Sequence, residues 1–142
     1  YTAIEAAIQR PLVKEADFHG KAAHLSHREE DPCAILCTMT LDDLNVSGVP
    51  RYPVGISPII DPTSGEVPVD SKGRRSYTTG MSYCPSIKKF VVMGYLPKEL
   101  AIQGKQLLIE YFNEDGDGVY PATVQIVGKG SLYDPSNERV RA

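Results

Sequence analysis

The chain has 142 residues, 42% of them hydrophobic, and a net charge of −3, enough for one ordinary domain with its own core. Slight acidity without a basic stripe excludes a typical nucleic-acid binder, and the dispersed charges read as a solvated surface. No apolar run approaches the ~20 residues that span a bilayer and no signal peptide is recognisable, so neither a membrane nor a nucleic acid is expected as a partner.

Residues 1–14 (YTAIEAAIQRPLVK) are Ala-rich and permit a helical start, but Pro11 stops any helix before it. Asp17 reads as an N-cap, with a helix over residues 18–28 that turns Ala22, Ala23 and Leu25 inward. That segment holds His19, His24 and His27. His24 and His27 stand i, i+3, but no Cys or carboxylate pattern completes a zinc site, so they read as exposed helix histidines. Residues 33–41 (CAILCTMTL) form an apolar strand between Pro32 and Asp42-Asp43, an acidic pair that reads as a turn rather than as acid/base machinery. Cys33 and Cys37 share a face of that strand roughly 13 Å apart, too far for a disulfide. With Cys84 they are expected to be buried free thiols of a reducing compartment.

Residues 46–50 read as a surface loop. Residues 57–61 and 66–70 read as short strands of a hairpin around Pro62-Thr63-Ser64-Gly65. The stretch from Arg74 to Tyr111 is a meander. It has a Thr/Ser-rich strand, a turn at Cys84-Pro85-Ser86, an apolar strand over 90–96, a helical turn over 97–101, and a strand over 106–112 after Gly104. Residues 113–118 (NEDGDG) fail as a calcium loop, because Val124 stands where a bidentate Glu is required. They read as a hairpin loop before a strand over 119–127, which Pro121 places at an edge or a bulge. The fold class is therefore mainly β, a Greek-key barrel or jelly-roll-like sandwich with a short α/β entry segment.

Four ordered stretches carry a resemblance. Glu15-Ala16-Asp17-Phe18-His19-Gly20-Lys21 is similar to the "DFIGK" segment before a short helix in the glycine cleavage T-protein superfamily. Ser76-Tyr77-Thr78-Thr79-Gly80, Pro85-Ser86 and Lys88-Lys89 resemble its "TSG…SP…K" strand-turn-strand. Met93-Gly94-Tyr95-Leu96-Pro97 with Gly104 resembles "AYVP…GT", and Leu132-Tyr133-Asp134-Pro135 resembles the closing "PFYDP". The superfamily comprises aminomethyltransferases, dimethylglycine and sarcosine dehydrogenase folate domains, and tetrahydrofolate-dependent demethylases. The chain departs from the pattern at His19, which replaces an apolar residue, and in a long insertion over 45–72 that points to a less typical branch, such as demethylases of methoxy or methylthio donors.

The resemblance implies that residues 1–31 end a folate-binding core and residues 32–142 form the C-terminal barrel. It implies a parent that is a tetrahydrofolate-dependent aminomethyl- or methyltransferase, cytoplasmic or, in a eukaryote, in the mitochondrial matrix. The partners would be the upstream folate-binding domains of the same polypeptide. The family's catalytic Asp lies upstream, so no catalytic residue and no activity or bound cofactor are expected of this stretch alone. The start at Tyr1 and the end at Ala142 fit a piece of a longer polypeptide. Arg74, Arg75, Arg139 and Arg141 are the candidate contacts for a folate carboxylate, because a guanidinium fork matches a carboxylate; each is also accounted for as a solvated surface arginine. The alternative function is a non-enzymatic β-barrel interaction module. A third reading, a stand-alone hydrolase, has little support, since no nucleophile-elbow sequence surrounds any Ser.

Overall fold

The computed structural model describes residues 1–42, 45–46, 49–50, 55–113 and 116–141. Asp43, the second acid of the Asp42-Asp43 pair, and residues 114–115 of the NEDGDG turn lie outside them. The elements are α1 (Lys21–Glu29), β1 (Ala34–Leu41), β2 (Asn45–Val46), β3 (Val49–Pro50), β4 (Ile59–Ile60), β5 (Thr78–Cys84), β6 (Lys89–Pro97), β7 (Gln106–Asn113), β8 (Gly116–Val127) and α2 (Glu138–Arg141). Among the described residues, no helix is long and apolar enough to cross a membrane.

Six strands make one antiparallel sheet in the order β4-β7-β8-β1-β6-β5. The β6–β7 connection skips two strands, as a Greek-key connection does. The sheet curls until the residues leading into its two edge strands meet. Pro58 bridges Tyr77, the Thr78 N–H donates to Ser57 O at 2.9 Å, and the Ile56 N–H donates to Thr78 O at 2.9 Å. This seam closes the barrel at one end, in agreement with the mainly β barrel expected.

The core follows from period-2 alternation. Cys37, Met39 and Leu41 of β1 point inward with Val92 and Leu96 of β6, Leu107 and Ile109 of β7, and Tyr120, Ala122 and Val124 of β8. Ile59 of β4 fills the seam end. Gly94 sits between both neighbours of β6, opposite Cys37 of β1 and Thr78 of β5. A Cβ there would lie 2.7 Å from Ile59 Cδ1 and 2.9 Å from the Tyr77 carbonyl oxygen, so only glycine lets the seam pass this close.

Several expectations are corrected. The helix starts at Lys21, not at residue 18, because Gly20 adopts a left-handed φ of 81° and serves as the N-cap without a side-chain bond, so Asp17 does not cap it. No residue of α1 is buried. Ala22, Ala23 and Leu25 are exposed, while Lys21, His24, His27 and Arg28 are half-buried. The helix is held by its cations: Lys21 Nζ donates to Glu15 O at 2.6 Å, and Arg28 donates to Arg10 O and Pro11 O at 2.9 and 3.0 Å.

Residues 46–50 are not wholly loop, since β2 and β3 pair with each other. Residues 66–70 make isolated bridges only, Asp61 with Glu66 and Val69 with Arg75, because Pro62 and Pro68 lack the amide a ladder needs. β4 pairs instead with β7. Finally, β8 lies inside the sheet rather than at its edge. Pro121 is tolerated because its carbonyl accepts from the Asp42 N–H, just past the end of β1. A strand residue points its N and its C=O the same way, so the missing donor falls where the neighbouring strand has run out.

Candidate functional site

A charged cluster ties the first residues to the barrel. Thr2 and Glu5 form a reciprocal capping box: the Thr2 N–H donates to Glu5 Oε2 at 2.9 Å and the Glu5 N–H to Thr2 Oγ1 at 3.2 Å. One helical turn follows, with the Ala6 N–H donating to Thr2 O at 3.0 Å. The turn is clamped to β1 by the Leu36 N–H, which donates to Glu5 O at 2.8 Å. Glu5, only 1% exposed, receives both terminal nitrogens of Arg74, at 2.6 and 3.2 Å. Arg74 Nε donates to Asp70 Oδ2 at 2.7 Å. The Tyr1 ring is layered between the Arg74 guanidinium, 4.2 Å from its centroid, and the Tyr95 ring, stacked at 3.6 Å.

The electrostatics follow from this geometry. Burial raises the Glu5 pKa, but the Arg74 hydrogen bonds and charge, with the Thr2 and Ala34 amides, outweigh it and hold the carboxyl at about 2. Burial acts the same way on Asp70, and the Arg74 and Lys72 amides with the Arg74 side chain again win, so Asp70 is lowered too. The Glu5 hydrogen bonds chiefly hold Arg74 above its ordinary value. A depressed carboxyl contributes stability that is complete above its unfolded value and is lost as pH falls through its folded one. We therefore expect the denaturation midpoint to be flat above about pH 5 and to fall between 4.5 and about 2. Glu5→Gln should flatten that decline; an unchanged acid limb in the variant would refute the assignment.

The structure distributes the four candidate arginines over two places. Arg74 and Arg75 precede β5, whereas Arg139 and Arg141 lie on α2. Arg74 is committed to Glu5 and Asp70. Arg75 is exposed and joins Val69 through its backbone. Arg139 donates to Tyr133 Oη and stands 4.9 Å from that ring's centroid, while Asp134 accepts from its backbone N–H. Arg141 is exposed.

The cysteines are free; Cys37 is buried, and burial pushes its thiol up to about 12, while Cys33 and Cys84 are only half-buried. Among the described residues no three His, Cys, Asp or Glu gather to hold a metal ion. His19 is exposed, and His24 and His27 are half-buried rather than exposed. Sequence reasoning does not reach Glu5, Asp70 and Tyr1 as partners of Arg74, or Tyr95 as the ring stacked on Tyr1. The Thr2-x-x-Glu5 spacing is a capping-box signal that marks the first turn, but nothing local links Glu5 to an arginine 69 positions away.

No family profile matches the chain, and no curated protein sequence does. Structure gives the likeness. The fold is similar to part of a solved aminomethyltransferase. That structure is the glycine cleavage system aminomethyltransferase T from Bartonella henselae, matched at a TM-score of 0.62 and 21% identity. The match covers 88% of this chain and 31% of that one, so the chain spans about a third of the length of the aminomethyltransferase. At this identity the likeness establishes the fold.

Proposed function

We propose that the chain is the C-terminal barrel portion of a tetrahydrofolate-dependent aminomethyl- or methyltransferase, in which it covers the folate site and excludes water from it. The observation that carries this reading is the fold match to aminomethyltransferase T over 88% of the chain and 31% of the longer protein. It is supported by the superfamily-like stretches at residues 15–21, 76–89, 93–104 and 132–135, which occur in the order expected. Residues 1–31 would then close the folate core and 32–142 form the barrel, in a cytoplasmic or mitochondrial-matrix enzyme whose catalytic Asp lies in the remainder. Excluding water strengthens the charge interactions inside such a site without any nucleophile from the barrel.

Arg75, Arg139 and Arg141 are the proposed contacts for a folate carboxylate. At Arg74 the ligand would have to displace Glu5 or Asp70. Calorimetric titration of tetrahydrofolate into the 142-residue chain is expected to give no measurable heat of binding, whereas the longer parent should bind it, several-fold more weakly after Arg75→Ala or Arg139→Ala. Tight binding by the chain alone would overturn the covering role. A parent that does not bind tetrahydrofolate would favour the interaction-module alternative.

A further inference from the structure

We infer that the surface of residues 8–25 docks a protein segment that is apolar and carries acidic side chains. The inference rests on the reading that the chain works within a larger assembly, and it names the face and the chemistry of what meets it.

Four large apolar side chains stand outward within this short stretch: Ile8 is 75% exposed, Leu12 88%, Phe18 36% and Leu25 42%. They are not loosely placed. Arg28 and Lys21 pin the backbone at Arg10, Pro11, Glu15 and Ala16, so the segment is held with its apolar side turned to water. The helix contributes Ala22, Ala23 and Leu25 to the same uncovered character. A patch of this kind, ordered and rimmed by polar groups, marks an interaction surface.

A groove of about 450 Å³ runs among Ile8, Leu12, Val13 and Phe18. Arg10, Lys14 and His24 also line it, and no acidic side chain does. Arg10 and Lys14 are exposed, so their charges face whatever enters and favour carboxylates. Gln9 lines the groove as well, and its Oε1 is shut off from solvent without a donor. With Ile8 75% and Leu12 88% exposed, the apolar surface along the groove is wider than a small amphiphile would cover. These observations together favour a polypeptide over a small molecule.

The test pans a phage library of random dodecapeptides against the immobilised 142-residue chain, with no folate present. The expected consensus has two or three apolar residues flanked by Asp or Glu. Synthetic copies of the selected peptides should bind about tenfold more weakly to Leu12→Glu and to the Arg10→Glu/Lys14→Glu double variant, and more weakly at high salt. All of these side chains are exposed, so circular dichroism and the denaturation midpoint should stay as in the unsubstituted chain. Basic consensus peptides, or peptides indifferent to these substitutions, overturn the inference. So does a library that yields no binder, octanoate binding as tight as the best peptide, or self-association of the chain abolished by Leu12→Glu. Peptide binding together with a parent that ignores tetrahydrofolate would keep the docking face and remove the transferase reading; the converse result would do the opposite.

Discussion

Arg74→Met is expected to lower the unfolding free energy by about 3–5 kcal/mol, the usual cost of removing one partner from a buried ion pair. The methionine keeps the length of the stem but leaves Glu5 and Asp70, with side chains 1% and 2% exposed, without the cation they share. Two buried carboxylates without a cation either stay charged at a large desolvation cost or take up protons. The midpoint of the variant should therefore rise as pH is lowered from 7 toward 5, a range over which the unsubstituted chain's midpoint stays flat. The first turn should come loose as well, because Arg74 is also the cover of the Tyr1 ring. A triple variant, Arg74→Met with Glu5→Gln and Asp70→Asn, should recover much of the loss, since the uncompensated charge is its main source. Urea titrations of the three proteins decide the matter; a single variant within 1 kcal/mol of the parent would show that the cluster is solvated and idle.

Gly94→Val should cost about 1–3 kcal/mol or more, through overpacking rather than through loss of a contact. The nearest atoms to an added Cβ are the Ile59 Cδ1 at 2.7 Å and the Tyr77 carbonyl oxygen at 2.9 Å. Ile59 is fully buried in the core and the carbonyl is main chain, so neither yields cheaply. The strain falls where residues 56–59 meet residues 76–78. Hydrogen exchange should report faster exchange at the Ile59 and Thr78 amides, while Met39 and Val92, paired two residues further along β1 and β6, keep their protection. Gly94→Ala should show the same pattern with a smaller loss. Uniform loss of protection would mean that the seam is not a separate weak point.

The sequence made the barrel class legible because its strands alternate cleanly. Cys37, Met39 and Leu41, or Tyr120, Ala122 and Val124, declare an inward face by spacing alone. The turn between β5 and β6 and the helical turn over 97–101 were equally legible, since Pro85 and Pro97 mark them. Two kinds of feature were hidden. One is pairing: β4 belongs with β7, not with residues 66–70, and Pro121 sits within the sheet, because partner choice is fixed by the closed barrel and not by local residues. The other is the inward face of α1. Amphipathic reading assigns Ala22, Ala23 and Leu25 to a core, but the chain's own core is complete without them. The candidate site was legible only as a set of arginines. That Arg74 is tied to Glu5 and Asp70, while Arg139 leans on Tyr133, depends on long-range placement for the first and on the left-handed turn at Asp134 for the second.

The central strand of the barrel is the first one made and among the last to be completed. β1 ends at Leu41, yet β6 begins only at Lys89 and β8 at Gly116. A ribosome must add ~50 residues before the first flank of β1 exists, and more before the second, so formation of the sheet is limited by closing long loops rather than by local order. During that interval the run AILCTMTL, uncharged and free of proline, is an open template for pairing with other chains. Refolding yield should therefore depend steeply on protein concentration, and a chaperone that shields a single extended segment would act on β1.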